Sequence, residues 1–175
     1  MNTIGREYAD RGTFEKEVLK RNCCFAEFDV WRTLYHLSSW LDYLHALRPK
    51  QLLHRDFKPD DILVVTEWYE NERSYLTSVK LADFGIAKLL NRDAQNIYYC
   101  SEYVGVPTYM APEVYTDYST FSEWSDVWSL GCVMAFYLNK GDMFSTLQKK
   151  LNIMEDKNTF LMMKFMKTIL KICWS

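Results

Sequence analysis

The sequence predicts a mainly α-helical fold with one small β-hairpin, and three observations carry that reading. Val30, Leu34, Leu37, Leu41 and Leu44 alternate steps of four and three, the stripe of a buried helix face. Val127, Leu130, Cys132, Met134 and Phe136 belong to a second segment that is apolar on most sides, which suits a helix in the middle of a domain. Ile62 to Val65 and Val79 to Ala82 are short β-rich runs separated by the polar stretch Thr66 to Ser78, the pattern of a hairpin with a long loop.

Local chemistry supports each element in turn. Pro49 lies just past the first helix, a common stop signal. Thr120 and Glu123 make a capping-box pattern ahead of the second helix, predicted over about 122–138, which ends near Asn139-Lys140-Gly141. Residues 86–110 carry many hydroxyls, little periodicity and two breakers, Gly105 and Pro107, and are predicted to form one long loop. Toward the C-terminus Met162, Phe165, Met166, Ile169, Leu170 and Cys173 share one face, with Lys164, Lys167 and Lys171 opposite. That pattern reads as a packed surface helix with solvated lysines, the sharper alternative being a membrane- or calmodulin-binding segment.

Composition narrows the function classes. A hydrophobic fraction of 49% with 16% aromatics argues for a folded core and against disorder. The formal charge of -2 and pI of about 5.9 supply no basic field for a nucleic-acid partner. Cys23, Cys24, Cys100, Cys132 and Cys173 form no C-x-x-C pair and are not grouped with His36, His45 or His54 at zinc-ligand spacing, so reduced thiols in the cytoplasm are expected. No secretory signal is visible, and the uncharged stretch Val127 to Leu138 is too short to span a bilayer. There is no repeat, low-complexity tract or linker, which leaves one domain.

One stretch resists a purely structural reading. "LLHRDFKPDDILVV", residues 52–65, sets His54, Arg55, Asp56, Lys58, Asp60 and Asp61 between two apolar runs. Buried charge is costly unless it is paired or holds a metal, so the stretch is a candidate site. Singly, the motifs are weak; a lone Asp in a turn is more often a cap than a catalyst. Their order changes the odds: His54-Arg55-Asp56, then Asp83-Phe84-Gly85, then Ala111-Pro112-Glu113 follow at separations that suit a loop, a hairpin and an activation segment.

With these motifs the sequence resembles a eukaryotic protein kinase, and the resemblance is to the C-terminal lobe. "LLHRDFKPDDIL" looks like the catalytic loop (54–61), "VKLADFG" to "GVPTYMAPE" like the activation segment (83–113), and "SDVWSLGCV" like the central helix. The resemblance implies ATP and Mg²⁺ as cofactors and a protein substrate, with Asp56 accepting the substrate hydroxyl proton, Lys58 neutralising the transferred phosphoryl group, and Asp83 and Asp61 holding Mg²⁺. It also implies a hinge from about residue 7, whose Glu7 and Ala9 pair with adenine over a floor formed by Leu63. Asp126 would hydrogen-bond the catalytic-loop backbone, with His54 and Phe84 packed in the core beneath. Arg55 would suit a phosphorylated activation loop, for which Tyr98, Tyr99, Ser101, Tyr103 and Thr108 offer hydroxyls. Lys58, two residues after Asp56, is similar to the serine/threonine type. "YLHALRPKQLLHRDFKP", "EYADRGTF" and "CWS" resemble the TGF-β-activated type of MAP kinase kinase kinase; "DFGIAKLL" and "SDVWSLGCV" resemble the NimA-related kinases.

Several positions depart from the family pattern. Asp61 stands where the family has an Asn, and Asp offers oxygen to Mg²⁺ but no amide hydrogen bond. Val106 replaces the Thr or Ser whose side chain reaches the catalytic Asp and Lys, so that contact is expected to be lost. Arg11 takes a frequent glycine position, and Arg6 falls at the gatekeeper. The N-lobe is expected to be absent and the last helices missing, with residues 142–175 divergent and Glu113 left as a charge without its Arg partner. Three readings follow: the C-lobe of a signal-transduction serine/threonine kinase from a catalytically active parent, a catalytically impaired pseudokinase or scaffold acting through regulatory protein contacts, or a truncated product or incomplete gene model without independent activity; the isolated chain is expected to show no measurable phosphotransfer.

Overall fold

The structure, a computed structural model, describes residues 8–20, 25–66, 78–91, 104–117 and 120–141. In chain order they form α1 (Phe14–Lys20), α2 (Glu27–Ala46), β1 (Lys50–Leu53), a 3₁₀ turn (Pro59–Asp61), β2 (Ile62–Val65), β3 (Ser78–Leu81), β4 (Lys88–Asn91), α3 (Pro112–Thr116) and α4 (Glu123–Leu138). The strands make two antiparallel pairs, β1 with β4 and β2 with β3.

In α2 the predicted stripe is buried at Leu34, Leu37, Leu41 and Leu44, and half-buried Val30 packs against the same core. Glu27 and Asp29 in its first turn complement the positive end of the helix dipole. The expected hairpin is β2–β3, with Ile62 opposite Leu81 and Val64 opposite Val79. Ile62 and Val64, two residues apart, are fully buried together, as the strand period requires.

α4 lies between two clusters. Leu130, Val133, Met134, Phe136 and Tyr137 join Phe14 and Val18 of α1, Leu34, Leu37 and Leu41 of α2, Phe57, Ile62, Val64 and Val79. Trp128 and Cys132 join Leu53, Met110, Ala111, Val114 and Phe121. Burying a side chain such as Leu130 contributes about 1.5–3 kcal/mol relative to exposure, so this two-sided helix ties the site-bearing loops to both cores. It ends in a Schellman pattern: Lys140 N–H donates to Tyr137 O at 3.2 Å and Gly141 N–H to Phe136 O at 2.9 Å. Gly141 sits at φ +84°, where an L side chain is strained, and a Cβ there would push on the Leu19 side chain at 2.4 Å from Cδ2.

The structure corrects two local expectations. The capping box is formed by Ser122 and Ser125, while the Thr120 hydroxyl donates instead to the carbonyls of Glu113 (3.3 Å) and Asp117 (3.1 Å). Residues 86–110 do not form one loop throughout, because β4 lies within them and pairs with β1, Leu53 opposite Lys88. Neither strand has the apolar–polar alternation that marks a half-buried strand, which is why the sequence pattern concealed them. The predicted C-terminal amphipathic helix lies outside the described residues.

Candidate active site

Asp126, near the start of α4, organises the charged loop after β1. It is 1% exposed; its Oδ2 accepts from the His54 N–H at 3.0 Å and lies 2.8 Å from His45 Nε2, and its Oδ1 accepts from the Arg55 N–H at 2.9 Å. A carboxylate buried this deeply is tolerable because donors surround it. Arg55 takes φ +69°, a left-handed conformation that an L residue holds only when its surroundings fix it. Its side chain supplies part of that fixing: Nε donates to Ile86 O at 2.6 Å, and the guanidinium lies 5.6 Å from the Phe121 ring centre.

The loop is tied to the segment after β3 as well. The fully buried His54 ring places Nε2 3.1 Å from Ala82 O, and Ala82 N–H donates to Asp61 O at 2.8 Å. His54 also meets Phe57 edge-on at 5.8 Å and Phe84 at 5.2 Å between ring centres. Phe84 is nevertheless 44% exposed, so the expectation that it is packed in the core is corrected: one face covers His54 and the rest is open.

These ties bring Asp56, Lys58 and Asp61 together. Lys58 Nζ bridges the Asp56 carboxylate and Asp61 Oδ2, the latter at 2.8 Å. Side-chain exposure is 16% for Asp56, 18% for Lys58 and 7% for Asp61. Burial raises the Asp61 pKa, and the Lys58 ammonium only partly offsets it. For Lys58 burial works against the charge, but its bonds to Asp56 and Asp61 outweigh burial and raise its pKa. Asp83, at φ +54°, is exposed and accepts the Gly85 N–H at 3.1 Å on Oδ1.

Val106 restores by its backbone what its side chain lacks. A valine side chain cannot make the hydroxyl contact, as expected, but the Val106 N–H donates to Asp56 Oδ1 at 3.0 Å, so a backbone contact with Asp56 is present. Gly105 makes this approach possible: φ is +97°, and a Cβ would lie 2.9 Å from Arg55 O. Glu113 is exposed and accepts from the Ser125 hydroxyl at 3.3 Å, a neutral donor.

On the other side of the loop, residues 8–13 run beside β2. Val64 N–H donates to Gly12 O at 2.9 Å, Arg11 N–H donates to Val64 O at 3.3 Å, and Thr13 bridges to Leu63. Half-buried Ala9 lies at the far end of this pairing, beyond the Asp10 carboxylate that accepts the Thr66 N–H at 2.8 Å. The positive φ falls on Gly12 and not on Arg11, whose Nη2 pairs with Glu17 Oε2 at 3.0 Å. Glu7, Arg6, Tyr98, Tyr99, Ser101 and Tyr103 lie outside the described residues; Thr108 is half-buried.

Sequence reasoning missed His45 and the Val106 amide. His45 falls beside Leu44 on the buried stripe of α2, which was a usable signal; a backbone donor leaves none. As for metals, Asp61 and Asp83 are hard oxygen donors of the kind Mg²⁺ takes. Among the described residues no group of three or more His, Cys, Asp or Glu is gathered for a metal.

Residues 3–174 match the protein kinase domain, and the chain belongs to that family. Among similar proteins are serine/threonine-protein kinase Nek6 of Oryza sativa subsp. japonica, 38% identical over 132 residues (75% of this chain, 21% of that protein), and probable serine/threonine-protein kinase nek3 of Dictyostelium discoideum, 33% over 134 residues (73% and 11%). Serine/threonine-protein kinase 33 of Bos taurus is 30% identical over 137 residues (78% and 27%). The chain thus spans between 11% and 27% of the length of these relatives. They lend no support to the TGF-β-activated type. Among the described residues no helix is long and apolar enough to cross a membrane.

Proposed function

We propose that this chain is the catalytic-loop and activation-segment region of a cytoplasmic serine/threonine protein kinase, transferring the γ-phosphoryl group of ATP to a Ser or Thr hydroxyl of a protein. The observation that carries the reading is the Lys58 ammonium between Asp56 and Asp61 on a loop that Asp126 anchors. Asp56 takes the substrate hydroxyl proton as the new O–P bond forms and ADP leaves. Lys58 offsets the charge of the phosphoryl group in transit. Asp83 and Asp61 would hold Mg²⁺, which would supply charge neutralisation at the phosphates. Glu7, Ala9 and Leu63 are assigned to adenine. The Nek names of two relatives support the NimA-related type.

A second reading, an impaired pseudokinase or scaffold, is favoured by one observation: both carboxylate oxygens of Asp56 are engaged, Oδ1 by Val106 N–H and Oδ2 by Lys58. A fluorescent ATP analogue titrated with and without Mg²⁺, followed by radiolabel transfer to a generic protein substrate, separates the two. Mg²⁺-dependent binding without measurable phosphotransfer by the chain alone is the expected result, and label that vanishes in Asp56→Asn overturns that expectation in favour of an active kinase. Binding that ignores Mg²⁺ supports the scaffold, and no binding overturns the kinase reading of this chain.

A further inference from the structure

We infer that Lys58 is the resident counter-ion of the Asp61 carboxylate, so that a divalent cation reaches Asp61 only by displacing an ammonium of the same loop. The identity of the cation rests on the kinase reading; the competition itself rests on geometry. An asparagine at residue 61 would be neutral and could offer Lys58 a carbonyl oxygen but no counter-charge. Aspartate brings a charge into a position 7% exposed, where it is costly unless paired, and the i,i+3 spacing across the 3₁₀ turn puts Lys58 Nζ 2.8 Å from its Oδ2.

Of the two partners, Lys58 is the one able to move. Asp61 is pinned through its backbone, its N–H donating to Lys58 O at 3.1 Å and its carbonyl accepting from Ala82 at 2.8 Å. Lys58 carries its charge on a flexible four-carbon stem. It also keeps a second anchor in Asp56, so an ammonium released from Asp61 stays at the site. Asp61 is therefore a positioning residue as well as a metal ligand: it sets where Lys58 sits until a stronger cation arrives.

The test uses the 175-residue chain without nucleotide. Lysine acylation read by mass spectrometry should show Lys58 slow to react in metal-free buffer and at least threefold faster with saturating Mg²⁺, while exposed Lys16 and Lys20 stay unchanged. In Asp61→Asn, Lys58 should react quickly from the start and ignore Mg²⁺. A wild-type Lys58 rate that Mg²⁺ leaves unchanged, or an Asp61→Asn protein with the same Mg²⁺ response as wild type, overturns the proposal. Mn²⁺ binding followed by electron paramagnetic resonance gives a second readout: Lys58→Met should bind at least tenfold more tightly than wild type, and equal affinity or no binding by either also overturns it. The labelling arm stands even where Lys58→Met fails to fold. Because ATP is left out, either outcome can be read independently of whether the chain transfers phosphate.

Discussion

Removing the Asp126 carboxylate tests most directly what holds the site in shape. Asp126→Ala deletes the acceptor of two backbone N–H groups, His54 at 3.0 Å and Arg55 at 2.9 Å, and the partner of His45 Nε2 at 2.8 Å. A buried donor left unsatisfied costs about 1–3 kcal/mol, so the two amides alone amount to about 2–6 kcal/mol. The Arg55 conformation at φ +69° adds strain that the bond no longer offsets. Urea denaturation measures the sum. With a slope of about 2 kcal/mol/M, a loss of about 4 kcal/mol moves the midpoint down by about 2 M, a large share of the ~5–15 kcal/mol stability of a typical domain.

His45→Ala should cost less, about 1–2 kcal/mol, because Asp126 keeps both backbone donors. In the His45→Ala background Asp126→Ala should then be milder than alone, since the two substitutions share a partner. An Asp126→Ala midpoint within about 0.3 M of wild type would refute this account and leave the loop held by apolar packing of Phe57 and Leu53.

Other consequences are equally open to measurement. In Asp56→Ala the Val106 amide loses its acceptor at 3.0 Å, and its hydrogen exchange should accelerate at least tenfold; an unchanged rate would mean the contact is not formed in solution. Gly105→Ala forces a side chain to φ +97° and to 2.9 Å from the Arg55 carbonyl, so a loss of about 1–3 kcal/mol is expected in the same denaturation assay, and a neutral result would contradict the close approach. Glu15 has its carboxyl pKa raised above the ordinary 4.5 by its hydrogen bond to Asp60, then by burial and the Asp60 charge. The folded state thus binds more protons than the unfolded state just above pH 4.5, so this contribution is full below that pH and is lost as pH rises through the folded value. Asp60→Asn should flatten that slope and lower the Glu15 titration midpoint seen by carbon NMR; a slope that survives the substitution assigns it elsewhere.

How much of this was legible in the sequence follows from what kind of atom does the work. α2 and the β2–β3 hairpin were readable because Leu34, Leu37, Leu41, Ile62 and Val64 are buried side chains, and burial writes its period into residue type. Asp56, Lys58 and Asp61 were readable because three charges between apolar runs need partners, and the structure makes them one another's. The β1–β4 pair was not readable: its ladder is made by backbone groups that every residue carries, and Lys50 to Leu53 and Lys88 to Asn91 lack alternation. Val106 gives the sharpest case. Judged by its side chain it removes a contact with Asp56; judged by its amide, delivered by Gly105 in a left-handed turn, it keeps one. Substitution by a residue of different chemistry therefore removes a function only where the side chain, and not the backbone, was its bearer. By the same logic Asp61 is the departure with the larger consequence, because there the side chain itself changes charge and Lys58 pairs with it.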